Sequence, residues 1–398
     1  MSSPSHHPSS LRARHLVVGV IPIRLVVDSV ARMLYPYLPA LSRGLGITLA
    51  QGGLLLSLRS AMVFPGPLFG LWNDRRGPRD LLVLALLAQA LGLFWLSFAQ
   101  GFLGAAAPLA LLGLAAAAII PTLQAAISAR VPFQRRGRVI GVMEYSWALV
   151  GLIMLPLIGV MIVRWGWQTP LRLLALLSLL LAPLPLRLLA GPPPRGSAPP
   201  PSFRSMAARI WQSPSARAAI LVNGLIFVAS ESFFVTYGAW LEQAFRMSPA
   251  QIGRVAGLLG AAELVASVGS SLLLDRLGKR RGVGAGLLAM TLTMALLPVA
   301  AGRLIAALAV MAAFIFSFEW SIVSHISLLS EQVPLARGTV LALAVMAGGL
   351  IRTLTASLAV TLFEWRGIPA VAALAVLGAG SAAFVLYRWV QERANDPA

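Results

Sequence analysis

The stretch Gly70-Leu-Trp-Asn-Asp74-Arg75-Arg76-Gly77-Pro-Arg79 decides how this chain folds, because its core occurs twice. Asp275-Arg276-Leu277-Gly278-Lys279-Arg280 repeats it 201 residues later, with Ser271 where the first glycine would fall. Other short strings recur at nearly the same interval. Ser128-Ala-Arg-Val131-Pro132 is matched by Ser330-Glu-Gln-Val333-Pro334, Arg136-Gly137 by Arg337-Gly338, and Trp165 by Trp365. A period of about half the chain length marks a duplicated unit. Each recurrence falls at the same point of its half, so the two halves run in the same sense.

The halves are built for lipid. Of 398 residues, 58% are hydrophobic and only 11% charged, and mean hydropathy is +0.82. Soluble domains carry about twice that share of charge. Apolar segments long enough to cross a bilayer recur between short polar breaks. They predict spans 1 to 6 at 16–39, 47–69, 80–99, 104–127, 138–163 and 170–190. Spans 7 to 12 follow at 216–240, 249–274, 283–301, 304–328, 338–363 and 369–391. The expected fold is an all-α membrane protein: two six-helix bundles forming a parallel repeat about an axis along the membrane normal. The N-terminal basic stretch and first apolar run lack a convincing cleavage site, and the run carries Arg24, Asp28 and Arg32; it reads as span 1, not as a removed leader.

Net charge is +19, carried by one lysine and many arginines. The balance invites a nucleic-acid reading. With the N-terminus inside, however, about two thirds of these cations fall in the loops and tails of one face, which makes that face cytoplasmic and sets both termini there. The Pro-rich segment from Gly191 to Pro201 cannot continue a helix and favours extended, solvated chain. The organisation read from this is a cytoplasmic tail 1–15, a bundle 16–190, a cytoplasmic linker 191–215, a bundle 216–391 and a cytoplasmic tail 392–398, in a cell (inner or plasma) membrane.

Cysteine is absent, which excludes disulfides and thiolate metal sites. His6, His7, His15 and His325 are scattered, so no metal site and no cofactor are expected. No phosphate-binding G-x-x-x-x-G-K-[ST] loop occurs, which speaks against an ATP-driven pump. No nucleophile–base constellation appears, so an enzyme is not expected.

Ionisable residues inside a span cost several kcal/mol, about 2.5 to 3.5 on the lenient insertion scale, and their placement is therefore informative. They are Arg24, Asp28 and Arg32 in span 1, Arg59 in span 2, Glu144 in span 5, Glu231 in span 7, Glu263 in span 8, Glu319 in span 10 and Arg352 in span 11. Spans 3, 6, 9 and 12 have none in their interiors. Asp28 has Arg24 and Arg32 four residues to either side on one helix face, which suits a structural or solute-orienting role. Glu231 has no cation near it in sequence. It is the leading candidate for a proton-coupling group, with Glu144 and Glu319 behind it. Tyr145 beside Glu144 and Trp320 beside Glu319 add aromatic walls of the kind that suit lipophilic or cationic solutes. Arg24, Asp28, Arg32, Arg59, Tyr145, Glu263, Trp320 and Arg352 are the candidate cavity residues. Span 4 offers only Thr122 and Gln124 as polar groups, which argues against a site rich in sugar-type hydrogen bonds.

These residues resemble the major facilitator superfamily over nearly the whole chain. Gly70, Asp74, Arg75, Gly77 and Arg79 match its G-x-x-x-D-R-x-G-x-R signature, and Asp275, Arg276, Gly278, Lys279 and Arg280 form the second copy. The resemblance implies a cytoplasmic gate that latches and unlatches during transport, with spans 3, 6, 9 and 12 at the lipid-facing periphery. Gly151, Pro156 and Gly159 in span 5 resemble part of the glycine–proline motif of the family's drug–proton antiporters, with Leu155 where a glycine is expected. Span 4, from Leu109 to Ala118, lacks the arginine those antiporters carry. The likeness is to bacterial drug and metabolite efflux permeases. It implies alternating-access transport of a small solute, coupled to protons or another ion, by a protein functional as a monomer. Three functions are expected in order: proton-coupled export of a lipophilic compound; uptake or exchange of an organic anion, motivated by Arg24, Arg32, Arg59 and Arg352; and a non-transporting sensor or assembly protein of the same fold.

Overall fold

The computed structural model describes residues 8–130, 145–189, 203–333 and 337–392. Span 1 comprises helices Pro8–Met33 and Leu38–Leu45, interrupted by four turn residues around Pro36. Span 2 comprises Leu49–Ala61 and Gly66–Arg76, interrupted at Pro65. Proline cannot donate to the preceding turn, which accounts for both breaks. Spans 3 and 4 are Pro78–Leu96 and Gly101–Arg130. The described part of span 5 contains a π-helical turn, Val150–Met154, followed by Leu155–Trp165. Span 6 comprises Gln168–Leu181 and Leu184–Leu188. Spans 7 to 12 are Pro214–Phe245, Pro249–Leu277, Lys279–Ala300, Leu304–Gln332, Arg337–Arg366 and Ile368–Trp389.

Eleven of these spans pass on length and composition alone as membrane-crossing helices among the described residues; the remaining one is span 1, interrupted and rich in ionisable groups. The protein is thus a twelve-span membrane protein. Two boundaries differ from the sequence reading. Helix 1 is already wound at Pro8. Within the stretch read as linker, Phe203–Gln212 is a helix that packs on spans 7 and 11. It ends where Ser213 caps the next helix, its side chain accepting from Ala216 N at 3.2 Å, with Pro214 in the first turn.

The duplication is written into the backbone. Gly77 and Gly278 both have positive φ, at 82° and 81°, and so do Gly166 and Gly367, at 88° and 69°. Each pair is 201 residues apart, and each turns the chain between two spans in a conformation that L side chains resist. Spans 2 and 8 open with the same reciprocal capping box, Thr48 with Gln51 and Ser248 with Gln251. These two boxes, 200 residues apart, are a repeat that the sequence reading passed over.

Spans 3 and 6 pack within the first lobe, and spans 9 and 12 within the second. Their outer faces are apolar: Leu91, Leu180, Leu292 and Leu377 are each more than half exposed, as expected where lipid replaces water. The lobes meet through Leu49–Ala61 against span 11, through spans 5 and 8, and through Leu38–Leu45 against span 7. The continuation of span 2 toward the end that bears the termini, Gly66–Arg76, packs instead on spans 3 and 4 of its own lobe. The described interlobe packing therefore lies in the half of the bundle away from the termini.

Candidate functional site

Among the described residues, three polar clusters lie between or beside the lobes. In the first, Arg24 pairs with Asp28 one helical turn away at 3.3 Å, and Ser146 of span 5 donates to Asp28 Oδ2 at 2.5 Å. All three residues are buried. Arg32, the other cation expected around Asp28, forks across the lobe boundary. Its Nη1 lies 2.6 Å from Glu263 Oε2, its Nη2 donates to Glu263 Oε1 at 2.7 Å, and Nη1 also donates to the Trp147 carbonyl at 2.7 Å. The guanidinium sits 5.0 Å from the Trp147 ring centroid. Both partners are buried; the Oε1 contact is the hydrogen bond, and Oε2 is held by its charge alone.

The room for it comes from glycine. A Cβ on Gly151 would lie 3.0 Å from Arg32 Cζ and 3.0 Å from the Gly260 backbone, and one on Gly260 would meet Leu152 N at 2.6 Å. Gly253 and Gly159 are as tightly placed, against Leu155 O and Pro249 O. Tyr37 donates its hydroxyl to the Leu155 carbonyl. Gly151, Pro156 and Gly159 thus face Gly253, Gly257 and Gly260 along an interlobe seam of small residues. The span 8 half of that seam was missed in the sequence reading, although its Gly-x3-Gly-x2-Gly spacing was visible. Gly260→Val is expected to separate spans 5 and 8, lowering the detergent melting temperature and abolishing solute flux; an unchanged melt and flux would show that the seam tolerates a side chain.

The third cluster is looser. Tyr35, in the break of span 1, donates to Glu231 Oε1 at 3.2 Å. Arg352 Nε lies 3.6 Å from Glu231 Oε2, with Glu231 fully buried and the arginine about a quarter exposed. The Arg352 guanidinium stands 4.4 Å from the Phe227 ring centroid. Arg59, in the last turn before the break of span 2, acts electrostatically on Tyr35, Glu231 and Arg352. Its Nε is buried and makes no hydrogen bond among the described residues. Arg352 is therefore the guanidinium in contact with Glu231 among the described residues, and Arg59 of the other lobe acts on that carboxylate only at longer range. Glu231, cation-free in sequence, has Arg352 beside it in space. Both interrupted helices contribute a residue here, and irregular backbone at membrane depth persists where it lines such a site.

The other candidates are placed as follows. Glu144 lies outside the described residues. Tyr145 and Glu319 are half-buried. Trp320 donates its indole N–H to the Gly282 carbonyl of span 9 at 3.1 Å, a packing contact within its own lobe. Gly70 and Gly77 stand in open space; Arg75 and Arg79 are exposed, and nothing is described of the Asp74 and Asp275 side chains. In the second copy, Lys279 pairs with Glu331. Glu392 accepts from Lys279 N at 2.7 Å and Arg280 N at 3.0 Å, and Arg280 donates to Tyr387 O at 2.6 Å. A carboxylate on the N-terminus of span 9 satisfies its free N–H groups. Glu392 was not anticipated in the sequence, because the contact joins residues more than a hundred apart.

At the opposite end, three contacts close the lobes together. Arg43 pairs with Glu242, Ala50 N donates to Glu364 Oε1 at 3.2 Å, and Ser357 N donates to Ser57 Oγ at 3.1 Å. Glu364 thus sits on the N-terminus of span 2, beside its capping box. No group of three metal-ligating side chains occurs among the described residues.

Two parallel lobes, a buried ion pair that bridges them between Arg32 and Glu263, and closure at one end are the architecture of a membrane transport protein. The chain belongs to the Major Facilitator Superfamily, whose sequence profile matches residues 21–239. The "Sugar (and other) transporter" profile matches residues 209–392. The "Uncharacterized MFS-type transporter YwfA" of Bacillus subtilis (strain 168) is 31% identical over 169 residues, covering 41% of this chain and 39% of that protein. The match therefore spans well under two thirds of that relative. Among solved structures, a bacterial homolog of the human lysosomal transporter Spinster, inward-facing and unoccupied, superposes with a TM-score of 0.75 at 14% identity, covering 96% of this chain and 95% of that one. At that identity the likeness is one of fold. The family is one of transporters, which bind small molecules within the membrane and are generally not enzymes.

Proposed function

We propose that this protein is a secondary transporter that moves an organic anion together with protons by alternating access. The carrying observation is the loose contact of Arg352 with the buried carboxylate of Glu231, with Arg59 of the other lobe acting on the same group at longer range. While Glu231 is ionised it neutralises Arg352, and an incoming anion must compete with it. Once Glu231 takes a proton, both guanidinium groups are available to the solute. Binding of the proton and of the anion are then positively linked, so the two travel in the same direction. The interlobe packing away from the termini, with the positive-inside pattern of the loops, supports a resting state open to the cytoplasm.

Export of a lipophilic compound in exchange for protons is the second reading. It is favoured by the ring contacts behind Glu231, where Tyr35 and Phe234 lie 5.9 Å apart and Phe234 and Phe318 lie 5.6 Å apart. The two readings differ in sign. In liposomes with an imposed pH gradient, cotransport accumulates solute on the side toward which protons flow, and exchange accumulates it on the other. A panel of labelled carboxylates, organophosphates and lipophilic amines decides between them. Arg352→Ala is expected to weaken anion uptake about tenfold or more, the scale of one charge-assisted hydrogen bond. Accumulation of amines against the proton flow would establish exchange, and no flux of any solute would overturn transport altogether.

A further inference from the structure

We propose that the helix Phe203–Gln212, between the lobes in sequence, binds the headgroup of an anionic phospholipid on the terminus-bearing face. This inference is independent of the solute and of its coupling. Phe203, Met206, Ala207 and Ile210 recur at helical spacing, an amphipathic pattern. Ile210 is buried at 2% exposure while the helix packs on spans 7 and 11, so the Ile210 face of the helix is turned to the protein. Away from that stripe, Arg209 is exposed, and Trp211 is 73% exposed. The Arg217 guanidinium, also exposed, stands 5.6 Å from the Trp211 ring centroid.

Trp211 lies three residues before span 7 begins at Pro214, which is the depth at which indole rings meet lipid headgroups. An exposed indole stacked on a guanidinium offers an apolar plate for glycerol and upper acyl carbons beside a fixed cation for phosphate. No chain partner competes for these arginines from nearby sequence. Between Glu144 and Glu231 there is no Asp or Glu, yet Arg187, Arg195, Arg204, Arg209 and Arg217 all lie in that stretch. Charge complementarity therefore selects an anionic lipid over a zwitterionic one. Because the helix touches spans 7 and 11, which also carry Glu231 and Arg352, the bound lipid rests on the lobe that holds the third cluster.

The test uses the full chain in nanodiscs made with equal fractions of brominated phosphatidylglycerol or brominated phosphatidylcholine. The quenching that distinguishes the parent from Trp211→Phe isolates the Trp211 signal. The expected result is stronger quenching by the anionic lipid, falling about fivefold in local enrichment for each arginine removed in Arg209→Gln and Arg217→Gln, with Arg217→Lys retaining most of it. Equal quenching by the two lipids, or selectivity that survives Arg209→Gln with Arg217→Gln, would overturn the proposal. So would loss of selective quenching on adding inorganic phosphate, which would mark a site for free anions. Melting temperatures equal to the parent confirm that the variants are folded; if the double variant does not fold, the two single variants decide by the same criterion.

Discussion

Glu231→Gln protein, reconstituted with an imposed pH gradient, is expected to lose gradient-driven accumulation entirely while still exchanging labelled anion for unlabelled. The amide fixes position 231 in its neutral form, so Arg352 and Arg59 are permanently available to the solute. Anion affinity in the variant should no longer vary with pH, whereas in the parent it should weaken as pH rises and Glu231 ionises. The geometry makes Glu231 the carboxylate that lets go: its arginine contact is single and 3.6 Å long, and the remaining contact is a 3.2 Å bond from a tyrosine. Uphill accumulation by the glutamine variant would move coupling to another group and end this assignment.

The second large effect concerns stability. Glu263→Ala leaves Arg32 buried without its carboxylate, a change expected to cost about 3 to 5 kcal/mol. The forked contact at 2.6 and 2.7 Å and the shared Trp147 carbonyl identify this as a fixed bond of the closed half. Removing both ends together, in Arg32→Met with Glu263→Met, should recover most of the loss, since no charge is then stranded. Unfolding in graded denaturing detergent, followed by tryptophan emission, measures both. A single variant as stable as the parent would mean that water reaches Arg32 and that the pair contributes little.

The contrast between these two carboxylates explains what the sequence could and could not reveal. Spans, duplication and the lipid-facing helices were legible, because hydropathy and charge spacing follow from the solvent each residue meets. Partner choice was not. Asp28 appeared to hold both Arg24 and Arg32, but Arg32 turns to Glu263, 231 residues on. Glu231 appeared free of cations, but the crossing of spans 2, 7 and 11 brings two toward it. Such contacts depend on which helix faces meet, and one-residue rotations decide them. The glycines of span 8 were the accessible clue to one such crossing, since they mark where two backbones touch.

The π-helical turn Val150–Met154 adds a rotational consequence. A π turn inserts one residue into an α-helix, offsetting the residues before it by about 100° from an uninterrupted winding. Ser146 and Trp147, which hold Asp28 and Arg32, lie on the far side of that offset from Leu155 and Gly159, which hold Tyr37 and span 8. Were the extra residue reabsorbed, Ser146 and Trp147 would swivel while Leu155 and Gly159 stayed clamped, withdrawing span 5's contacts from Asp28 and Arg32 at one stroke. A screw thread of a single residue would then couple the grip on span 1 to the opening of the lobes.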